Sequence, residues 1–277
     1  FIFLHMRLKL FLICLCLFFT SLQFCQNKQG EKAPFVKSSF NSFQSGEWFK
    51  FRIHYGIFNA SYATIELKDT LIDSHPVFKS TAIGRTTGIA RLFFKVDDIY
   101  ESYFHKEIVK PLKSKRDIYE GGYTKNIEIK YDYNSGFAIV NDIKNNTIQN
   151  IPIIENVQDI ISTFYFLRNH FDVTKLKVND FIRIIMFFDA ENYNFKMQFL
   201  GFENVKTKFG TVNCYKFRPY IESGRVFRDS ESLALWVSND KNKIPIKIEA
   251  RLRIGSIEAD LDGFKGLKHP FKIKVNE

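Results

Sequence analysis

The most regular feature of the chain is an alternation of apolar and polar positions that begins after Gly46. Between residues 49 and 55, Phe, Phe, Ile and Tyr alternate with Lys, Arg and His. Successive side chains of a β-strand point to opposite faces, so this period of two predicts a strand with one buried face. The same pattern predicts further strands at residues 61–67, 77–85, 96–104, 112–119, 123–133, 137–140, 181–188, 194–201, 203–207, 211–218, 232–237, 246–252 and 256–261.

One long segment departs from this period. Its apolar residues at positions 160, 164, 167 and 171 fall on one stripe of a helix. We predict one main helix over about residues 156–171, with Asn156 as its N-cap and Asp159 near its positive end. A shorter segment, residues 89–94, predicts one or two additional helical turns.

The connections between strands are short, and strands do not alternate with helices along the chain. This order favours antiparallel pairing and argues against a parallel, doubly wound sheet. No composition break divides the strand region, so we predict a single β-rich domain over residues 46–266, followed by a tail at 267–277.

The N-terminus predicts export. Arg7 and Lys9 precede an apolar run of about ten residues with a polar exit, as in a secretory signal peptide over residues 1–25. The alternative is a buried N-terminal helix. We expect Met6 to be the true start and residues 26–45 to form an arm or linker. Lipidation of Cys25 is disfavoured, because bulky Phe24 stands where a lipoprotein signal has a small residue.

The composition narrows the class of protein. Of the 277 residues, 45% are hydrophobic and 31 are Phe, which excludes a disordered or collagen-like chain. Three of the four Cys lie in the predicted signal peptide, so Cys214 would remain alone, as a small buried apolar residue without a disulfide.

The net charge of +10 raises the question of an anionic partner. We expect no nucleic-acid binding, because the aromatic residues alternate into strand cores and export separates the protein from nucleic acid. Anionic lipid head groups or envelope polysaccharide suit the basic clusters at residues 113–116, 225–228 and 247–253 better. The alternative is an ordinary solvated basic surface.

The sequence carries no motif for catalysis. It has no phosphate-binding loop, dinucleotide fingerprint, zinc motif or nucleophile elbow. His54, His75, His105, His170 and His269 stand singly, so we expect structural roles for them. We therefore predict no enzymatic activity, no cofactor and no metal.

The helix carries a family signature. Asp159, Ser162, Tyr165, Leu167 and Arg168 match the pattern Asp-x-x-Ser-x-x-Tyr-x-Leu-Arg. In this the chain resembles a family of exported bacterial proteins, typical of Bacteroidetes, that is known only as a domain of unknown function. Over about residues 46–262 the same order of motifs continues with Gly46-Glu47, Asp98-Ile99-Tyr100-Glu101-Ser102, Pro111, Arg116, Glu120-Gly121, and the segments 209–214, 235–237 and 244–247.

A second resemblance is architectural. The strand order around one helix, with the hairpin of residues 235–247, is similar to the half-barrels of periplasmic lipoprotein carriers and receptors. That resemblance implies an apolar concavity for acyl chains. We predict a mainly β (α+β) fold: one antiparallel, strongly curved sheet or incomplete barrel of about ten to twelve strands, wrapped around the main helix.

The leading functional hypothesis is non-catalytic binding of a hydrophobic or amphiphilic, lipid-like ligand in this concavity. The protein would act as a monomer in the periplasm or at the outer-membrane periphery of a Gram-negative bacterium. The candidate ligand-binding residues are Ser162, Tyr165, Arg168 and Trp236. For the three helix residues the alternative is a structural role, in which they cap the helix and bond to neighbouring strands.

Two other functions remain open. The protein could dock other envelope proteins through its sheet edge or basic face, as an assembly factor. It could also be an envelope hydrolase whose site is assembled from dispersed residues.

Overall fold

The structure is a computed structural model that describes residues 41–220 and 233–274. The predicted signal peptide, most of the predicted arm and the basic cluster at 225–228 lie outside the described residues. So does residue 232, at the start of one predicted strand.

Within the described residues, fourteen strands form one antiparallel sheet. They are β1 (Trp48–Tyr55), β2 (Phe58–Ile72), β3 (His75–Thr86), β4 (Asp97–His105), β5 (Pro111–Glu120), β6 (Tyr123–Asp132), β7 (Phe137–Asp142), β8 (Thr147–Pro152), β9 (Phe181–Phe188), β10 (Glu191–Thr207), β11 (Gly210–Tyr220), β12 (Leu233–Ser238), β13 (Pro245–Arg251) and β14 (Ser256–Lys265). There are two α-helices among the described residues, α1 (Gly88–Phe93) and α2 (Ile160–His170), and a 3-10 turn at Val173–Lys175.

The first and last strands meet in the middle of the sheet. The order is β8-β7-β6-β5-β4-β3-β2-β1-β14-β13-β12-β11-β10-β9, so β1 pairs with both β2 and β14. Strands β8 and β9 are the two edges, and the segment that joins them contains α2. The sheet is therefore an open, curved half-barrel that holds α2 between its two halves.

The mainly β class and the curved, unclosed antiparallel sheet are confirmed, but residues 41–220 and 233–274 contain fourteen strands rather than ten to twelve. Strand β8 was missed, because its residues are mostly exposed on both faces and show no alternation. Conversely, the predicted strands 194–201 and 203–207 are one strand, β10. A register shift beside Gly201, where φ is +108°, bends this strand without ending it.

The main helix is shorter than predicted, and Asn156 is not its N-cap. The backbone of Gln158 is still extended, because it accepts a hydrogen bond from Phe187 N–H and donates one to Ile185 at the edge of β9. The helix therefore begins only after Asp159, which is the N-cap. The predicted short helix is confirmed as α1.

The segments that precede the first strand and follow the last strand in sequence both pack onto the core. Phe43, in the predicted arm, is buried against α2. In the predicted tail, Phe271 and Ile273 pack on the core cluster around Val212, and Lys274 pairs with Thr211 through two backbone hydrogen bonds of 2.9 Å. Neither described helix has the length and hydropathy of a membrane-spanning segment.

Candidate functional site

The N-terminus of α2 is fixed by a reciprocal cap. The Asp159 carboxylate accepts hydrogen bonds from the N–H groups of Ile161 and Ser162, and the Ser162 hydroxyl accepts one from Asp159 N–H. Ser102 in β4 donates to the same carboxylate at 2.6 Å. Burial raises the pKa of Asp159 to about 6, although these hydrogen bonds favour the ionised form. The cap therefore ties the start of α2 to β4.

Arg168, in the last turn of α2, makes a buried network. Its guanidinium binds both carboxylate oxygens of Glu47, at 2.6 and 2.7 Å. It also donates to the carbonyl oxygens of Asn242 at 2.9 Å and Ser42 at 3.2 Å. Arg168 is 3% exposed and Glu47 is fully buried. The network joins α2 to the segment before β1 and to the loop between β12 and β13.

Tyr165 lies on α2 between the Asp159 cap and the Arg168 network, and it faces β3 and β4. It is fully buried, and Ser80 donates a hydrogen bond of 3.2 Å to its hydroxyl. Its ring packs against Phe43 and Phe104, with centroid distances of 4.9 and 5.2 Å. Burial raises the pKa of Tyr165 above its usual range. The polar side chains of Asp159, Ser162, Tyr165 and Arg168 thus all bond to protein groups.

An apolar cavity lies between α2 and the inner side of β9–β13. Its volume is about 70 Å³. It is lined by Phe164, Leu167, Arg168, Phe171, Val173, Ile182, Met197, Tyr215, Phe217, Leu235, Val237, Lys243 and Pro245. This is the candidate site for an apolar ligand in the concavity.

Lys243 places a second cation on the wall of this cavity. The residue is buried, and its ammonium group donates to the Phe171 carbonyl at 3.0 Å. Burial lowers the pKa of Lys243 to about 8, and Arg168 adds to this effect while Asp172 opposes it. Its backbone has φ of +50°, in a turn where the Asp240 carboxylate accepts its N–H.

The structure separates the predicted ligand-binding residues. Arg168 lines the cavity, but Ser162 and Tyr165 do not. Trp236 lies on β12 between Leu235 and Val237, which both line the cavity, so its side chain points to the opposite face. There it is buried, with the ammonium groups of Lys216 and Lys247 at 4.8 and 5.5 Å from its ring. Ligand contact by these residues stays a prediction.

Sequence reasoning missed Lys243. The local signal is the pair Asn239-Asp240, whose residue types favour a turn and which lies four and three positions before Lys243. Its burial arises from the packing of that turn against the end of α2, which no local pattern reveals.

One cluster among residues 41–220 and 233–274 has the composition of a metal site. The ligand atoms of His54, Glu258 and Asp260 lie within 4.8 Å of one another, and His54 Nε2 is 2.7 Å from Asp260. Both carboxylates already have cationic partners, with Lys247 at 2.7 Å from Glu258 and Arg52 at 3.6 Å from Asp260. The contacts are those of a cross-strand ion-pair network, which the pairing of β1 with β14 brings together across 206 residues.

The fold and cavity define a class: an open antiparallel half-barrel that encloses one helix and a small apolar space. Residues 50–262 match the family model of a protein of unknown function, DUF3108, and the chain belongs to that family. The predicted resemblance to a domain of unknown function over residues 46–262 is thereby confirmed. No curated protein matches the sequence.

Three solved structures are similar to this chain to different degrees. A β-barrel-like protein of the DUF1849 family from Brucella abortus is similar with a TM-score of 0.54 and 10% identity, covering 83% of this chain and 100% of that one. A candidate exported protein with a YmcC-like fold from Bacteroides fragilis has a TM-score of 0.32 and 11% identity, covering 82% and 99% of the two chains. A candidate lipoprotein from Parabacteroides distasonis has a TM-score of 0.29 and 11% identity, covering 85% and 100%. At these identities the Brucella similarity supports the fold alone, and the other two are too distant to add to it.

Proposed function

We propose that this protein is an exported, non-catalytic protein of the cell envelope that holds the apolar part of an amphiphile beside α2. The observation that carries the proposal is the cavity between α2 and β9–β13. Aromatic and aliphatic side chains form most of its wall, as in binding sites for apolar ligands. Export rests on the predicted signal peptide at residues 1–25.

The charges on the cavity wall favour an anionic head group. Its two charged lining residues, Arg168 and Lys243, are both cations. Both cations already bond to protein groups, Arg168 to the Glu47 carboxylate and Lys243 to the Phe171 carbonyl. An incoming carboxylate or phosphate would accept a further hydrogen bond from Lys243. A fatty acid combines the required apolar chain with such a head group and is the probe that we choose.

The volume of the cavity sets a condition on binding. About 70 Å³ is well below the roughly 300–1,000 Å³ of sites for small-molecule ligands. An acyl chain can therefore enter only if α2 and the strands move apart. We expect the movement to involve Phe171 and Val173, which follow the helix and line the cavity.

The test is ligand-dependent stability. Ligand that binds only the native state raises its melting temperature, and dodecanoate is a soluble probe. We expect dodecanoate to raise the melting temperature of the purified protein. Val237→Phe, which adds an aromatic ring to the cavity wall, should remove most of that rise. The matched control is Val178→Phe, since Val178 is exposed and lies outside the cavity lining.

Native mass spectrometry of protein purified from its own envelope gives an independent reading. The expected result is a bound amphiphile on the wild type and less of it on Val237→Phe. A protein that is empty on purification and gains no stability from dodecanoate would contradict the proposal.

An assembly factor is the second candidate, and the edge strand β8 favours it. Five of the six residues of Thr147–Pro152 are exposed, and within the part of the chain that the structure describes the strand has a neighbour on one side only. An exposed strand edge can pair with a strand of another protein. Crosslinking from residue 149 in cells should then trap a defined partner, and recovery of uncrosslinked monomer alone would count against this function.

A further inference from the structure

One end of the sheet carries a group of exposed apolar side chains. Tyr55 pairs with Phe58 in β2 and with Ile257 in β14, so the β1–β2 and β13–β14 turns lie side by side. Thr86, the last residue of β3, pairs with Ser61 in β2, so α1 starts at this same end. We call the large exposed apolar side chains of these three segments the apolar rim, and they are Ile57, Phe58, Ile89, Leu92, Phe93 and Ile254.

The exposure of the rim is unusually high. Ile57 is 92% exposed, Leu92 84%, Ile89 74% and Phe58 72%. No residue of α1 is buried, although half of that helix is large and apolar. Single exposed apolar residues are common, but a contiguous group of them marks a surface that meets another molecule or a membrane.

The fold fixes α1 in this orientation. The Arg91 guanidinium donates to the Val96 carbonyl at 3.2 Å and pairs with the Asp97 carboxylate at 2.8 Å. Phe94, directly after the helix, is buried against Gly121, where φ is +55° and a Cβ would meet the Phe94 ring. These contacts anchor the C-terminal end of α1, and just before its start Thr87 N–H donates to the Ala60 carbonyl at 3.1 Å. The apolar side chains of α1 are left facing solvent.

The charges beside the rim are mostly positive. Arg85, Arg91 and Lys95 surround Asp97, at distances of 3.6, 2.8 and 3.4 Å. One carboxylate therefore stands among three cations. Arg253, in the β13–β14 turn, is exposed as well. Apolar side chains flanked by surplus cations are complementary to a bilayer interface that contains anionic lipid.

We propose that the apolar rim is a membrane-docking surface, which inserts its side chains at the head-group boundary of a bilayer containing anionic lipid. Its six side chains, in two turns and one short helix, reach this boundary together because strand pairing places them at one end of the sheet. The neighbouring cations then lie at the depth of the lipid phosphates. The inference goes beyond the proposed cavity ligand and does not depend on it.

The test compares binding to vesicles of phosphatidylcholine alone with binding to vesicles that also contain phosphatidylglycerol. The protein is purified in its mature form, as processed by the cell, and every variant carries the same N-terminus. We expect the wild type to float with the anionic vesicles. The double variant Leu92→Ser/Phe93→Ser should weaken that binding roughly 100-fold, at about tenfold per lost side chain. Arg85→Gln/Lys95→Gln should weaken it by about fivefold per charge, and on anionic vesicles only.

The matched control is Leu71→Ser/Val178→Ser, which removes two side chains that are 65% and 59% exposed at the opposite end of the sheet. It should bind vesicles like the wild type. All substituted residues are exposed, so melting temperatures near that of the wild type will verify folding. The proposal is overturned if Leu92→Ser/Phe93→Ser and the control variant bind anionic vesicles equally well. It is also overturned if the wild type binds neither kind of vesicle. A different result would identify the rim as a protein interface instead: the wild type binds no vesicles but forms a specific crosslink to another protein, and Leu92→Ser/Phe93→Ser loses that crosslink.

Discussion

Arg168 and Glu47 form the most completely buried ion pair among the described residues. Removing one partner of such a pair leaves the other charge buried without compensation, which costs about 3–5 kcal/mol. We expect Arg168→Met to lower the free energy of unfolding by that amount in urea titrations. The double variant Arg168→Met/Glu47→Leu should recover much of the loss, since it buries no lone charge. A single variant as stable as the wild type would show that the pair does not anchor α2.

Asp159 makes the stability depend on pH. Its pKa is about 6 in the folded protein, because of burial, and about 3.9 in the unfolded chain. The folded state therefore binds the proton more tightly, so this group favours folding at low pH and loses that contribution as pH rises from 4 to 6. The change is of the order of 3 kcal/mol.

The comparison with Asp159→Asn isolates this contribution from other titrating groups. Urea unfolding at pH 4, 5, 6 and 7 should show a fall in wild-type stability that is smaller in the variant. Parallel pH profiles of the two proteins would refute the assignment to Asp159.

At the scale of elements, the sequence was informative wherever one face is buried. The alternation in β1 reports a buried face, and the apolar stripe of α2 reports a half-buried side that packs on the core. β1 lies where it was predicted, and α2 lies within its predicted range. Strand β8 could not be predicted from the sequence, because both of its faces are largely exposed. It is defined by its backbone pairing with β7. The start of α2 was misplaced because Gln158 is held extended by β9, a partner distant in sequence.

The candidate sites were harder to predict because they also depend on partners that are distant in sequence. The signature residues Asp159, Tyr165 and Arg168 could be recognised on one helix, but their partners elsewhere in the chain depend on tertiary packing. The cavity needs α2, five strands and Lys243 together. In the apolar rim, the short helix was predicted, while its exposure depends on the absence of a covering element at that end of the described sheet.

At the scale of the whole molecule, the pairing of β1 with β14 joins the two halves of the sheet. Each half is a meander of neighbouring strands that local contacts can form, whereas this junction brings residue 55 beside residue 257. Helix α2 spans the same two halves, because Ser102 in β4 and the cavity strands β9–β13 contact it from both sides. The junction and the helix therefore depend on each other, and we expect them to be lost together in one cooperative step.

Hydrogen exchange measured by mass spectrometry tests this arrangement. Strands β1 and β14 have hydrogen-bonded neighbours on both sides, so their amides should exchange only through global unfolding and be the slowest in the chain. The amides of β8, at an exposed edge, should exchange first by local fraying. Arg168→Met serves as the probe of coupling, since a loss of the α2 anchor should speed exchange in β1 and β14 by the same factor. If β1 and β14 exchange as fast as β8, or if the variant affects α2 alone, the two halves are not held as one cooperative unit.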